Sequence, residues 1–189
     1  MNICDWVNLP DGTATESLWC SLRDAELLSI HSDLRHRMVF MTFAVPHLSR
    51  FHNLPAELRF IFRAEGVQSA RVLRWNFWVG FIKTKAETPA EPASELRPDY
   101  RASWREQSDS WDHFEQRLLQ VEEPPVISAA LLAASPGQLA LKIGLNTDGH
   151  EYVELIVRSE SISVFRTDGK SIDLAQFQRL GEEYWDRSP

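Results

Sequence analysis

The sequence predicts an α+β domain, a largely antiparallel β-sheet or β-sandwich with two amphipathic helices packed on it. Three observations carry this. Residues 24–45 read as one β-hairpin ending in an apolar strand. Apolar alternation recurs at 58–62, 139–145 and 153–157, with turn residues between. Residues 99–121 and 173–186 instead carry apolar side chains at helical spacing. Hairpins and short turns favour antiparallel pairing over a parallel α/β arrangement.

The elements follow in order. Leu28 and Ile30 alternate with polar neighbours, a polar turn spans 33–36, and Met38–Val45 is apolar on both faces, as in a strand inside a sheet. His47–Pro55 reads as a loop. Leu58, Phe60 and Phe62 alternate with Arg59, Ile61 and Arg63, Glu65-Gly66 marks a turn, and a strand continues from Val67 to Trp75. These form a strand-rich block, 1–82. Residues 83–98 hold three prolines and little to bury, which predicts a mobile linker. Tyr100, Trp104, Trp111, Phe114, Leu118 and Val121 fall on one face of a helix spanning 99–121, which Pro124-Pro125 ends.

A second strand-rich block follows at 126–166. Ser135-Pro136-Gly137-Gln138 fits a type II turn, and Asp148-Gly149 signals a hairpin. Leu139, Leu141, Ile143 and Leu145 alternate with Ala140, Lys142, Gly144 and Asn146. Thr167-Asp168-Gly169-Lys170 supplies a turn. Asp173 then caps the closing helix, 173–186, with Gln176 at the reciprocal position of a capping box. Leu174, Phe177, Gly181 and Tyr184 share its inner face, where Gly181 allows a close approach. The whole chain, 1–189, reads as one domain of ordinary globular composition, 43% hydrophobic and 25% charged, able to bury a core without disulfide or metal staples.

The net charge is −7, and its distribution is uneven. Residues 1–82 hold eight basic and eight acidic side chains, whereas 83–189 hold twelve basic and nineteen acidic. An acidic half disfavours nucleic acid, whose phosphates attract basic patches. It suits a basic protein partner instead. The two cysteines, Cys4 and Cys20, have neither the spacing of a metal site nor that of a redox pair, so no metal or cofactor is expected from them. The N-terminus lacks a signal-peptide pattern, and no apolar run approaches the roughly 20 residues of a membrane helix. The expectation is a cytoplasmic chain away from the membrane.

Motifs for phosphate-binding loops, nucleophile elbows and zinc-protease helices are missing from the sequence. His31, His36, His47 and His52 cluster in sequence, but residues five apart on a strand face opposite sides, so a converging metal set is not expected. Asp109 with Asp112 and Glu122 with Glu123 read as solvated carboxylates rather than an acid–base pair. The segment around Arg71, Arg74, Trp75 and Trp78 has the composition of an interface anchor, although buried it would be sheet core.

Leu22-Arg23-Asp24-Ala25-Glu26-Leu27, with Ile30, Asp33, Val39 and Phe43, resembles the opening of small β-rich bacterial proteins, several of them immunity proteins of polymorphic-toxin systems. That opening commonly has a His-Asp-Ala phrase, where this chain has Arg23-Asp24-Ala25. The resemblance implies binding and blocking of a protein partner, without catalytic residues. The sequence therefore leads to a non-enzymatic protein-binding module. The alternatives are a small-ligand binder or enzyme with a site near Asp24, His31 and Arg71, and a homo-oligomer subunit.

Overall fold

The computed structural model describes residues 14–33, 35–76, 80–83, 96–99, 105–135, 137–147 and 151–187. Its strands are β1 (Ala14–Ser17), β2 (Glu26–Asp33), β3 (Met38–Ala44), β4 (Arg59–Glu65), β5 (Ser69–Asn76), β6 (Gly80–Lys83), β7 (Leu96–Asp99), β8 (Arg105–Asp109), β9 (Val126–Ser135), β10 (Gln138–Thr147), β11 (Glu151–Ser159), β12 (Ser161–Arg166) and β13 (Ser171–Ile172). Its helices are α1 (Trp19–Leu22), α2 (Pro46–Phe51), α3 (Trp111–Leu118) and α4 (Leu174–Arg187). Eleven strands form one sheet in the order β13-β12-β4-β3-β2-β9-β10-β11-β5-β8, with β1 added on β9. Every pairing is antiparallel, as hairpin connections require. The chain is an α+β fold on a large antiparallel sheet. No helix of the described residues is long and apolar enough to cross a membrane.

The sheet curls back on itself. Only Glu160 separates β11 from β12, so the path from β12 through β4, β3, β2, β9 and β10 returns to the continuation of its first strand. The weakest seam in this circuit is β2–β9, which pairs only Glu26 with Val126. Hydrogen bonds from Leu27 N–H to the Pro125 carbonyl (3.0 Å) and from Ile127 N–H to the Ala25 carbonyl (2.8 Å) flank it. Inside lie Val39, Met41, Phe43, Phe60, Phe62, Leu141, Ile143, Leu155 and Val164 in one cluster. Each such side chain contributes about 1.5–3 kcal/mol on full burial, so the circuit is held by its filling as much as by its ladders.

Several expectations change. The turn expected at Glu65-Gly66 is a bend between strands that do not pair with each other: β4 pairs with β3 and β12, whereas β5 pairs with β11 and β8. Gly66 has φ +65°, and a Cβ there would run into the Glu160 side chain, so glycine lets both bent strands cross side by side. A bulge between Leu27 and Ser29 shifts the register of β2, so Leu27 and Ile30 enter the core and Leu28 is half-buried. Val39, Met41 and Phe43 of β3 are buried, but Met38, Phe40 and Thr42 on its other face are only half-buried. Residues 46–51 are a helix rather than a loop, because Pro46 occupies a first-turn position where its fixed φ and missing N–H suit a helix.

The helix expected at 99–121 is shorter. Residues 105–109 form β8 on the edge of β5, and α3 starts only where the Ser110 hydroxyl accepts from His113 N–H (3.1 Å). Trp111, Phe114 and Leu118 do bury together, while Val121 lies beyond the helix and is exposed. Tyr100 and Trp104 lie outside the described residues. Within the expected linker, Leu96–Asp99 pairs with Gly80–Lys83; residues 84–95 are outside the description.

The turns at 135–138 and 167–170 form hairpins, with Gly137 at φ +74° and Gly169 at φ +86°. Asp148 and Gly149 are not described, although β10 and β11 pair on either side of them. Asp173 caps α4, accepting from Gln176 N–H at 2.6 Å. Gly181 lets α4 pack on α1 so closely that an added Cβ would sit 2.5 Å from the Cys20 carbonyl carbon and the Ser21 nitrogen.

Candidate functional site

Two surface features stand on this frame. The first is an open surface cavity of about 450 Å³ lined by Asp24, Pro46, His47, Arg50, Phe51 and Tyr184. Asp24 ends the α1–β2 turn with φ +58°, a conformation that Asp tolerates better than most side chains. α2 supplies Pro46, His47, Arg50 and Phe51, and α4 supplies Tyr184. The helices are tied by His52, whose Nε2–H donates to the Leu180 carbonyl at 2.9 Å. Phe51 meets Tyr184 edge-on at 5.6 Å, and His47 stacks obliquely on Tyr184 at 4.9 Å. Trp185 donates from Nε1 to the Cys20 carbonyl at 2.8 Å, and the Arg23 guanidinium lies 4.5 Å over its ring. Arg23 also reaches Asp24 at 3.6 Å.

Burial holds the His47 imidazole below the ordinary histidine value, although the Asp24 charge and the Cys20 carbonyl pull the other way. The ring is therefore neutral near pH 7, with a buried Nε2 that has no hydrogen-bond partner among the described residues. The cavity thus presents one carboxylate, one guanidinium, one neutral imidazole and two aromatic walls.

The second feature is the α3–β9 connection. Leu119, Val121 and Val126 are the large apolar side chains that stand exposed among the described residues, at 74%, 46% and 40%. Exposed Glu122 and Glu123 lie between them. The segment is fixed at each end by a buried anchor, Leu118 and Ile127.

The residues singled out from sequence are spread over the fold. Asp24 lines the cavity, but His31 and Arg71 do not join it. His31 lies on β2 seven residues further on, about 20 Å at strand rise, and its Nδ1–H donates to Glu115 of α3 at 3.1 Å. Arg71 is exposed on β5, which β9, β10 and β11 separate from β2 in strand order. Arg74 lies 3.6 Å from Asp109. Trp75 pairs through its backbone with Tyr152 and Glu106, and Trp78 lies outside the described residues. The four clustered histidines take separate partners: Glu115 for His31, Asp33 for His36, the cavity wall for His47 and the Leu180 carbonyl for His52.

Asp109 is not the freely solvated carboxylate its sequence suggests. Its side chain is 11% exposed and meets His113 Nδ1 at 2.9 Å, Arg74 at 3.6 Å and Arg117 at 3.8 Å. Burial pushes its carboxyl up, but the His113 and Ser110 hydrogen bonds and the His113 and Arg74 charges outweigh this and hold it below the usual value. This cluster anchors the start of α3 against β5. Lys142 and Glu154 form a second internal pair, 3.0 Å apart with both side chains 6% exposed, on the sheet face opposite Leu141 and Ile143. No family model, curated protein or solved structure matches the chain.

Proposed function

We propose that the chain is a non-enzymatic protein-binding module that docks a basic partner through residues 119–126. The observation behind this reading is the grouping of Leu119, Val121 and Val126, all exposed, around two glutamates. Isolated exposed apolar residues need no explanation, and the support for this reading is that the three stand within eight residues of chain. Apolar side chains beside a polar, charged rim follow the core-and-rim layout of a protein interface. The buried flanks hold the segment in place, which lowers the ordering cost of binding. The acidic second half of the chain adds long-range attraction for a basic partner.

The resemblance of the 22–43 segment to immunity proteins agrees with this reading and suggests a toxin as the partner and the cytoplasm as the place of action. The test is affinity capture with the 1–189 chain and with its Leu119→Glu/Val121→Glu variant, at low and high salt. The product of a neighbouring gene is the first partner to try. The reading expects a basic protein that is retained by the wild type at low salt and lost with the variant or with added salt. Equal retention by both chains, or an acidic partner, would contradict it. Light scattering on the free chain distinguishes a second copy of the chain as the occupant, which would also overturn it.

A further inference from the structure

We propose that the cavity between the α1–β2 turn, α2 and α4 binds a small zwitterion of the amino-acid type. Its carboxylate would meet Arg50, its ammonium Asp24, and its apolar side chain Phe51 and Tyr184. The space is an open pocket, about 450 Å³ in volume, large enough for an amino-acid-sized ligand that stays partly in contact with solvent. Its lining decides the chemistry.

A simple carboxylate would gain Arg50 but face the charge of Asp24. A simple amine would gain Asp24 but face Arg50. Only a ligand carrying both charges satisfies both side chains at once. Asp24 keeps accepting capacity for an ammonium, since its contact with Arg23 is long, 3.6 Å, and its side chain is 70% exposed. No carboxylate pairs with Arg50 among the described residues, so its planar donors remain open to a carboxylate, which they match two-to-two. The apolar part of the ligand lies on aromatic faces already fixed against each other, Phe51 to Tyr184 at 5.6 Å and Tyr184 to Trp185 at 4.8 Å. These walls belong to helices locked together through Gly181 and His52, so the site is formed before the ligand arrives.

The site shares no lining residue with the 119–126 surface. Calorimetric titration of the 1–189 chain with L-phenylalanine, L-leucine, phenylacetate and phenethylamine tests it. The amino acids should bind at least tenfold more tightly than phenylacetate, which lacks the ammonium, and than phenethylamine, which lacks the carboxylate. Arg50→Gln should remove the preference over phenethylamine. Asp24→Asn should remove the preference over phenylacetate, and Asn also accepts the positive φ at that position. Circular dichroism confirms that both variants fold. Leu119→Glu/Val121→Glu should leave the titration unchanged, which keeps this test independent of the docking surface. Equal affinity for all probes, binding insensitive to Arg50→Gln and Asp24→Asn, or no binding across the twenty amino acids up to about 10 mM would overturn the proposal.

Discussion

Gly181→Ala sets two effects of opposite sign against each other. Within an exposed helix, alanine in place of glycine stabilises by about 0.8–1.0 kcal/mol, because it restricts the unfolded chain. At Gly181 the new Cβ would sit 2.5 Å from the Cys20 carbonyl carbon and the Ser21 nitrogen. These are backbone atoms and cannot rotate away, and comfortable contact needs about 3.5–4.0 Å, so α1 and α4 must separate by about 1 Å. That movement loosens the buried hydrogen bond from the Ser21 hydroxyl to the Phe177 carbonyl (2.8 Å) and the one from Trp185 Nε1 to the Cys20 carbonyl (2.8 Å). Weakening a buried hydrogen bond and overpacking a tight contact together cost about 2–4 kcal/mol. The net loss is then about 1–3 kcal/mol, and for a chain of this size each kcal/mol lowers Tm by about 2–4 °C. A thermal melt followed by circular dichroism should therefore show Tm falling by about 2–12 °C. An unchanged or raised Tm would mean that helix propensity governs the site and that α1 does not rest on α4 as described.

Further expectations follow from the charged groups. Lys142→Met removes the charge 3.0 Å from buried Glu154 and should cost about 3–5 kcal/mol in urea unfolding, whereas Lys142→Met/Glu154→Leu should recover most of the loss; equal stability of the single and double variants would contradict the pairing. Asp109 has a folded pKa below its unfolded value, so its stabilising contribution is present above the unfolded value near 3.9 and is lost as pH falls through the folded value. Stability measured from pH 6 down to pH 2 should thus fall less steeply for Asp109→Asn than for the wild type. His47 is likewise depressed, by burial, so the unfolded chain takes up its proton first on acidification, and stability drops as pH falls below about 6.5. His47→Gln should flatten that part of the profile between pH 7 and 5, and an identical slope in both chains would refute the assignment.

Local signals were legible where local chemistry decides the structure. The turns at Gly137 and Gly169 and the Asp173 cap each depend on a few neighbouring residues, and each forms as its sequence indicates. Gly181 was legible as a close approach because it interrupts an otherwise apolar helix face. Gly66 was not, because the same glycine suits a hairpin turn and a strand kink, and only the distant partners β11 and β12 choose between them. Residues 105–109 were hidden by coincidence: Trp104 and Trp111 are in helical phase, but the open edge of β5 recruits the segment between them as a strand. The Lys142 row alternates with core residues as a solvent-facing row would, yet pairing with Glu154 allows it to be buried. Of the candidate sites, Asp24 carried a signal in sequence. Arg50 and Tyr184 carried none, since they meet only after α2 and α4 pack. Leu119 and Val121 were masked by a helical pattern that in fact ends at Leu118.

Hydrogen exchange on the chain, free and bound to its captured partner, tests the central functional reading most directly. The docking surface predicts that partner binding slows exchange at residues 119–126 and leaves α2 and α4 unchanged. Protection centred on another face, with 119–126 exchanging as in the free chain, would contradict it.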